Sequence, residues 1–164
     1  MSELRRARTS DVRAIRAFID AYADERILLS KPLVKLYEDV QEFWVAVHEG
    51  AVVGCGAVHV MWEDLAEVRT LAVVPQLRGT GLGHLLLQQL IAAARELGVR
   101  RLFCLTFEAE FFSKHGFVVI DDVPVEHEVF EQILKSYDEG VAEFLDLERV
   151  KPNTLGNSRM LLTL

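Results

Sequence analysis

The segment LAVVPQLRGTGLGHLLLQQL, Leu71 to Leu90, carries three glycines at alternate positions, Gly79, Gly81 and Gly83. They lie between an apolar run that reads as a strand and an apolar pattern with helical spacing. Strand, glycine loop and helix is an arrangement that holds phosphate. Glycines let the backbone approach a ligand and expose successive N–H groups, and a helix start favours an anion. A P-loop needs lysine directly after its last glycine, then Ser or Thr, whereas Gly83 is followed by His84-Leu85. A dinucleotide fingerprint needs G-x-G-x-x-G, and the spacing here is G-x-G-x-G. What remains is Arg78-x-x-Gly81-x-Gly83, for which a pyrophosphate is the natural guest. A plain strand-to-helix turn with tightly packed glycines is the competing reading.

Other residues with chemical potential lie close by. Glu67 and Arg69 stand two apart in the strand-like run LAEVRTLAVV and so share a sheet face. Cys55 and Cys104 each sit inside an apolar run and read as buried free thiols. No closely spaced pair of Cys or His suggests zinc, so no metal is expected. His59, His84 and His115 form no metal or triad pattern, and packing or surface roles suit them better.

The elements that must position these residues follow from periodicity. ELRRAR is a short strand, and Thr9, Ser10 and Asp11 are helix-start chemistry. Val12, Ile15, Phe18, Ile19 and Tyr22 then mark one helix face. A second helix is expected from Pro32 to about Val40. FWVAVHEGAVVGCGAVHVMW reads as two strands around a turn at Glu49-Gly50, with Gly54 and Gly56 on one face. LAEVRTLAVV is the next strand. The helix after the glycines runs from about Gly81 to Leu97, with the stripe Leu82, Leu85, Leu86, Leu90, Ala93 and Leu97, and Gly98 ends it. RRLFCLTF is a buried strand, EAEFFSKHG a short helix, and FVVI a further strand. From Val125 to about Leu147 the chain is acidic and helical in pattern. KPNTLGN is a loop and SRMLLTL a terminal strand. The sum is one α/β domain, residues 1–164, with a mixed sheet.

The chain has 164 residues, about one domain by length, and carries a net charge of −7. That charge argues against a general nucleic-acid binder. No apolar run reaches the roughly 18 residues that span a membrane, and the start MSELRRARTSDV has no apolar signal core, so a cytoplasmic protein is expected.

The stretch EVRTLAVVPQLRGTGLGHLLLQQL strongly resembles the acetyl-CoA-binding motif of the GNAT N-acetyltransferases, and FFSKHGF matches that family's later helix-then-Gly-Phe signature. The resemblance implies the GNAT fold, a central mixed, mostly antiparallel sheet flanked by helices, with acetyl-CoA as co-substrate. It also implies that the backbone from Arg78, Gly79, Thr80, Gly81, Leu82 and Gly83 to His84 holds the pyrophosphate of coenzyme A. A bulged strand would pair with the pantetheine arm through Leu71, Ala72 and Val73.

Several segments are more specific: VVGCGAVHV, LAEVRTLAVVPQLRGTGLG, RRLFCLTFEAEFFSKHGF and NSRMLLTL resemble the acetyltransferase domain of bacterial N-acetylglutamate synthases. These acetylate the α-amine of L-glutamate, the first step toward arginine. Many carry an amino-acid-kinase-like domain in front. The expectation here is the short stand-alone form seen in actinobacteria.

Such a reaction needs a base, because an amino-acid amine is mostly protonated near neutral pH. The resemblance places the catalytic carboxylate at Glu67, acting directly or through one water. Arg69 beside it could hold a substrate carboxylate or simply neutralise Glu67. A backbone N–H near Leu71 or Ala72, freed by the bulge, would receive the oxyanion. Many family members carry a leaving-group tyrosine at the position of Phe112. Here another group supplies that proton, or the thiolate leaves unaided.

Substrate recognition is expected from Arg26, Lys31 and Lys35 and from Asn157, Ser158 and Arg159 on the closing strand. In the longer synthases an arginine stands two residues before that serine, where this chain has Gly156, which brings a less charged acceptor such as glutamine into view. The partner is thus a small amino acid, with neither nucleic acid nor membrane. The segment EHEVFEQILKSYDEGVAEFLDLE could be an amphipathic cover or a homodimer surface. Two other functions compete: acetylation of another amine or a protein N-terminus, and a non-catalytic acetyl-CoA sensor.

Overall fold

Alternation and helical periodicity build the elements in the expected order. The computed structural model describes residues 2–24, 31–150 and 156–164. In chain order these form β1 (Glu3–Arg6), α1 (Val12–Asp24), α2 (Leu33–Glu38), β2 (Phe43–His48), β3 (Ala51–Trp62), β4 (Leu65–Val73) and α3 (Leu82–Glu96). There follow β5 (Arg101–Thr106), α4 (Ala109–Ser113), β6 (Val118–Val119), α5 (His127–Ile133), α6 (Glu139–Phe144) and β7 (Ser158–Thr163). The strands make a seven-stranded sheet in the order β1-β2-β3-β4-β5-β7-β6. β4 and β5 pair in parallel, whereas β1–β2, β2–β3, β5–β7 and β6–β7 are antiparallel, so the sheet is mixed.

Two compact units divide the chain: Met1–His59 with Val68–Leu97, and Val60–Glu67 with Gly98–Leu164. In the first unit, the α1 stripe supplies Val12, Ile15 and Ile19, each at most 1% exposed, to a core with Leu36, Phe43, Val45, Cys55, Ala57 and Ala72. Asp11 closes a 3-10 turn (Thr9–Asp11) ahead of α1. Its carboxylate accepts the Arg8 N–H at 2.7 Å and a forked contact from Arg5 at 2.7 and 3.1 Å. That guanidinium holds the Asp11 carboxyl below the usual carboxylate range.

α3 packs on the same unit's sheet. Leu86 and Leu90 approach Gly54 and Gly56 so closely that a Cβ would meet Leu86 Cδ1 at 2.9 Å and Leu90 Cδ1 at 2.7 Å. The shared face of the two glycines is therefore the seat of α3. The expected α3 stripe needs correction. Leu85 and Leu97 are exposed, while Leu87 and Ile91 are buried, because the inward face follows Leu82, Leu86, Leu87, Leu90, Ile91, Ala93 and Ala94 at helical spacing.

The second unit has its own core of Leu65, Phe103, Ile133, Val141, Phe144 and Leu145. The single helical pattern expected from Val125 to Leu147 is broken into α5 and α6. Asp138 caps α6 by accepting the Val141 N–H at 3.0 Å. The second expected helix ends early, at Glu38, and of FVVI only Val118–Val119 is strand, with the Ile120 N–H donating to the Arg159 carbonyl at 2.8 Å. Cys55 and Cys104 are both buried free thiols.

Candidate functional site

In the first unit the site is made of backbone. Thr70 adopts φ 58°, a left-handed conformation that costs a β-branched residue roughly 1–2 kcal/mol and breaks the regular advance of β4. The bulge thus immediately precedes Leu71, one of the two residues whose N–H it is expected to free. Burial pushes the Cys55 thiol up to about 12, against the opposing influence of the Lys31 charge. The thiol therefore keeps its proton and lies 3.3 Å from the Thr70 carbonyl, giving that buried oxygen a donor. Lys31, one of the expected substrate cations, thus lies within electrostatic reach of the Cys55 thiol.

Past the bulge, backbone direction alternates. The Val74 N–H donates to the Val53 carbonyl at 2.9 Å, so Val74 and Ala72 face β3 and the polar groups of Leu71 and Val73 point the other way. Of the three residues expected to line an extended ligand, Leu71 and Val73 present their backbone outward. Ala72 is the exception, with its backbone turned to β3.

The glycine loop begins with a 3-10 turn, Pro75–Leu77. The Arg78 N–H donates to the Pro75 carbonyl at 3.2 Å and the Thr80 N–H to the Leu77 carbonyl at 3.3 Å. These two amides are therefore used inside the turn, a correction to the expectation that all amides from Arg78 onward face an anion. Gly79 and Gly81 have φ 79° and 90°, and Gly81 is the N-cap of α3. A helix leaves its first N–H groups without carbonyl partners, so Leu82 and Gly83 offer theirs at the positive end of the 15-residue α3. A Cβ at Gly79 or Gly81 would meet nothing within 4 Å, so the loop is open to a ligand. The donor set, neutral amides converging at a helix start, fits a pyrophosphate.

In the second unit, Glu67 is opposite Phe103 in the β4–β5 register, and Leu105 is opposite Arg159 in the β5–β7 register. Register partners and residues two apart share a face, so Glu67, Phe103, Leu105 and Arg159 lie on one side of these strands. Glu67 is 5% exposed. A carboxylate that deep needs polar company. Arg159 supplies a charge that interacts with it, alongside Asp146 and Asp122, while burial draws the Arg159 guanidinium below its ordinary value.

The other expected site residues are distributed as follows. Arg159 donates to the carbonyls of Glu143 at 3.1 Å, Phe144 at 2.7 Å and Asp122 at 3.2 Å, which makes it a strut of the second unit more than an open anion site. Ser158 opens β7 opposite Thr106, with Asn157 just before it, and both are half-buried. Gly156 has φ 80°, a conformation that disfavours the arginine found there in longer synthases. Lys35 pairs with Asp39 at 3.3 Å. Arg69 is half-buried on β4, and Arg26 lies outside the described residues. Phe112 is buried and stacks edge-on against Phe111 and Phe117, so it serves packing. His59 is held by Glu42 at 2.9 Å. Among the described residues no group of three His, Cys, Asp or Glu could hold a metal, and no helix is long and apolar enough to cross a membrane.

Comparison with known proteins adds to this geometry. Residues 39–119 match the acetyltransferase (GNAT) domain family. The chain is 60% identical over 164 residues to the amino-acid acetyltransferase of Mycobacterium tuberculosis, covering 98% of this chain and 94% of that protein. The crystal structure of Rv2747 from the same organism, in complex with CoA and NLQ, superposes with a TM-score of 0.96 at 59% identity over 99% of each chain. The N-acetylglutamate synthase of Neisseria gonorrhoeae, complexed with coenzyme A and N-acetyl-glutamate, gives a TM-score of 0.79 at 25% identity, covering 100% of this chain and 35% of that one.

Proposed function

The chain belongs to the GNAT acetyltransferases, and within them to the amino-acid acetyltransferases, and from that premise we propose that it moves an acetyl group from acetyl-CoA to the α-amine of L-glutamate or L-glutamine. Residues 1–164 would form one catalytic domain for this reaction, the first step toward arginine. The observation that carries the reading is the end-to-end likeness to an amino-acid acetyltransferase, together with an open amide cradle at the start of α3.

Acetyl-CoA brings an activated acyl group as a thioester. The chain's own residues do the rest. The amides of Gly79, Gly81, Leu82 and Gly83 hold the pyrophosphate, and the outward backbone of Leu71 and Val73 pairs with the pantetheine arm. Glu67 takes a proton from the acceptor's ammonium, directly or through a water, and the freed amine attacks the thioester carbon. The C–S bond then breaks and coenzyme A leaves as the thiolate. The Leu71 N–H, turned outward behind the Thr70 bulge, donates to the developing oxyanion. Lys31 and Arg69 supply positive charge for the acceptor's carboxylates. With glycine at 156, the acceptor site has one cation fewer than in the longer synthases, which favours glutamine beside glutamate.

Thiol release from acetyl-CoA, followed with glutamate, glutamine and aspartate in turn, tests the proposal. Turnover with glutamate or glutamine is expected. No turnover with any of the three refutes it.

A further inference from the structure

One side chain of α1 reaches both halves of the proposed coenzyme site, and it lies outside the residues, 39–119, that match the family. The Tyr22 hydroxyl donates to the Val73 carbonyl at 2.7 Å. That carbonyl belongs to the outward-pointing edge of β4, the edge with which an extended ligand would pair. The same hydroxyl accepts from the Arg78 Nε at 3.1 Å, and the Arg78 guanidinium lies 4.9 Å from the centre of the Tyr22 ring. Arg78 opens the glycine loop, so Tyr22 joins the end of β4 to the start of the anion cradle. The ring itself is packed against the buried core beneath α1, which fixes its position.

We propose that Tyr22 is a positioning residue for coenzyme A: its hydroxyl aligns the Val73 backbone for the pantetheine arm and holds Arg78 beside the cradle for the pyrophosphate. The inference rests on the coenzyme site described above. Its physical basis is pre-organisation. Arg78 has a long, exposed side chain, and stacking on Tyr22 plus one hydrogen bond narrows its rotamers before the ligand arrives. The Val73 carbonyl has two lone pairs, so the tyrosine occupies one and leaves the other for an amide of the ligand.

Tyr22→Phe keeps the ring and the stack and removes only the hydroxyl. Coenzyme A affinity by titration calorimetry should fall roughly three- to ten-fold, about the worth of one ordinary hydrogen bond, because the hydroxyl acts on the ligand only through Val73 and Arg78. The KM for the amino acid should not change. Because the effect passes through the arm and the pyrophosphate, the penalty should shrink when S-acetylpantetheine, which lacks the pyrophosphate, replaces acetyl-CoA as donor. It should also shrink in an Arg78→Gln background, since two residues acting as a unit are not additive. A Tyr22→Phe affinity within two-fold of the parent overturns the inference. So does a penalty that is equal for both donors and additive with Arg78→Gln, which would make Tyr22 a general structural residue. If the parent chain itself does not bind coenzyme A, the coenzyme site falls, and this inference with it. Parent binding with an unaffected Tyr22→Phe variant rejects the inference alone.

Discussion

The guanidinium of Arg159 lies 5.0 Å from the centre of the Phe103 ring, and Phe103 is the residue opposite Glu67 in the β4–β5 register. One cation thus stacks on the aromatic floor next to the candidate base while its N–H groups bind the carbonyls that end α6. Phe144, at that helix end, meets Phe103 edge-on at 4.9 Å. Sheet, helix end and carboxylate are tied through a single side chain.

Removing that strut should cost stability first. Arg159→Ala leaves the Glu143 and Phe144 carbonyls without their charged donor, and a loss on the order of 2–3 kcal/mol is expected. For a chain of this length that is roughly a 5–10 °C drop in Tm. Arg159→Lys should recover only part of it, because an ammonium cannot serve three divergent carbonyls as a planar fork does. Thermal melts of the three proteins check this. An Arg159→Ala variant with parental Tm and a selectively raised amino-acid KM would instead make Arg159 a substrate contact.

Glu67→Gln separates catalysis from binding. The amide has nearly the same shape but cannot take the ammonium proton. A fall in kcat of roughly 10²–10⁴ is expected, the usual worth of a positioned general base. Coenzyme A affinity should stay within two-fold, because the cradle lies in the loop after β4. Single-turnover rates and calorimetry on the same preparation measure both. A kcat within a few-fold of the parent would assign the proton transfer to another group and reopen the sensor reading.

Gly54 and Gly56 test how closely α3 must sit. A Cβ at Gly56 would come within 2.7 Å of Leu90 Cδ1 and 3.1 Å of Leu71 Cδ1. At Gly54 it would come within 2.9 Å of Leu86 Cδ1 and 3.2 Å of the Ala72 carbonyl oxygen. Overpacking of this kind costs about 1–3 kcal/mol. Gly54→Ala should be the worse of the two, because a backbone oxygen yields less readily than a leucine methyl. Shortening Leu90 to valine should partly rescue Gly56→Ala, and urea melts of the single and double variants decide it.

What could be read in the sequence was what repeats locally. The α1 stripe, the Glu49-Gly50 turn and the shared face of Gly54 and Gly56 all follow from period and turn chemistry, and the chain adopts them. The features it concealed are made by distance or by local conflict. Thr70 is β-branched, the type least expected at positive φ, so nothing in its identity singles it out as the residue that makes the bulge. Tyr22 and Val73 are 51 residues apart, and nothing in either neighbourhood announces their hydrogen bond. Leu85 and Leu86 are equally apolar, and only the packing of α3 decides which one is buried. Arg159 suggested an anion partner by its charge, whereas the folded chain directs it to carbonyls.

The Arg5–Asp11 fork predicts a pH dependence with a definite sign. Asp11 is 5% exposed, and its folded carboxyl titrates below the ordinary carboxylate range, whose unfolded value is about 3.9. Its contribution is therefore fully present above that unfolded value and is lost as pH falls through the folded one. At pH 7, Asp11→Asn should be less stable than the parent by roughly 2 kcal/mol, the worth of hydrogen bonds to a charged group. As pH falls below the unfolded value, the parent should progressively lose that advantage and the two stability curves should draw together, because the parental carboxyl takes up a proton. Urea unfolding of both proteins at pH 7, 5, 4 and 3 measures the difference. A gap that stays constant down to the lowest pH would mean that the Asp11 charge adds nothing through either Arg5 or the Arg8 N–H it accepts.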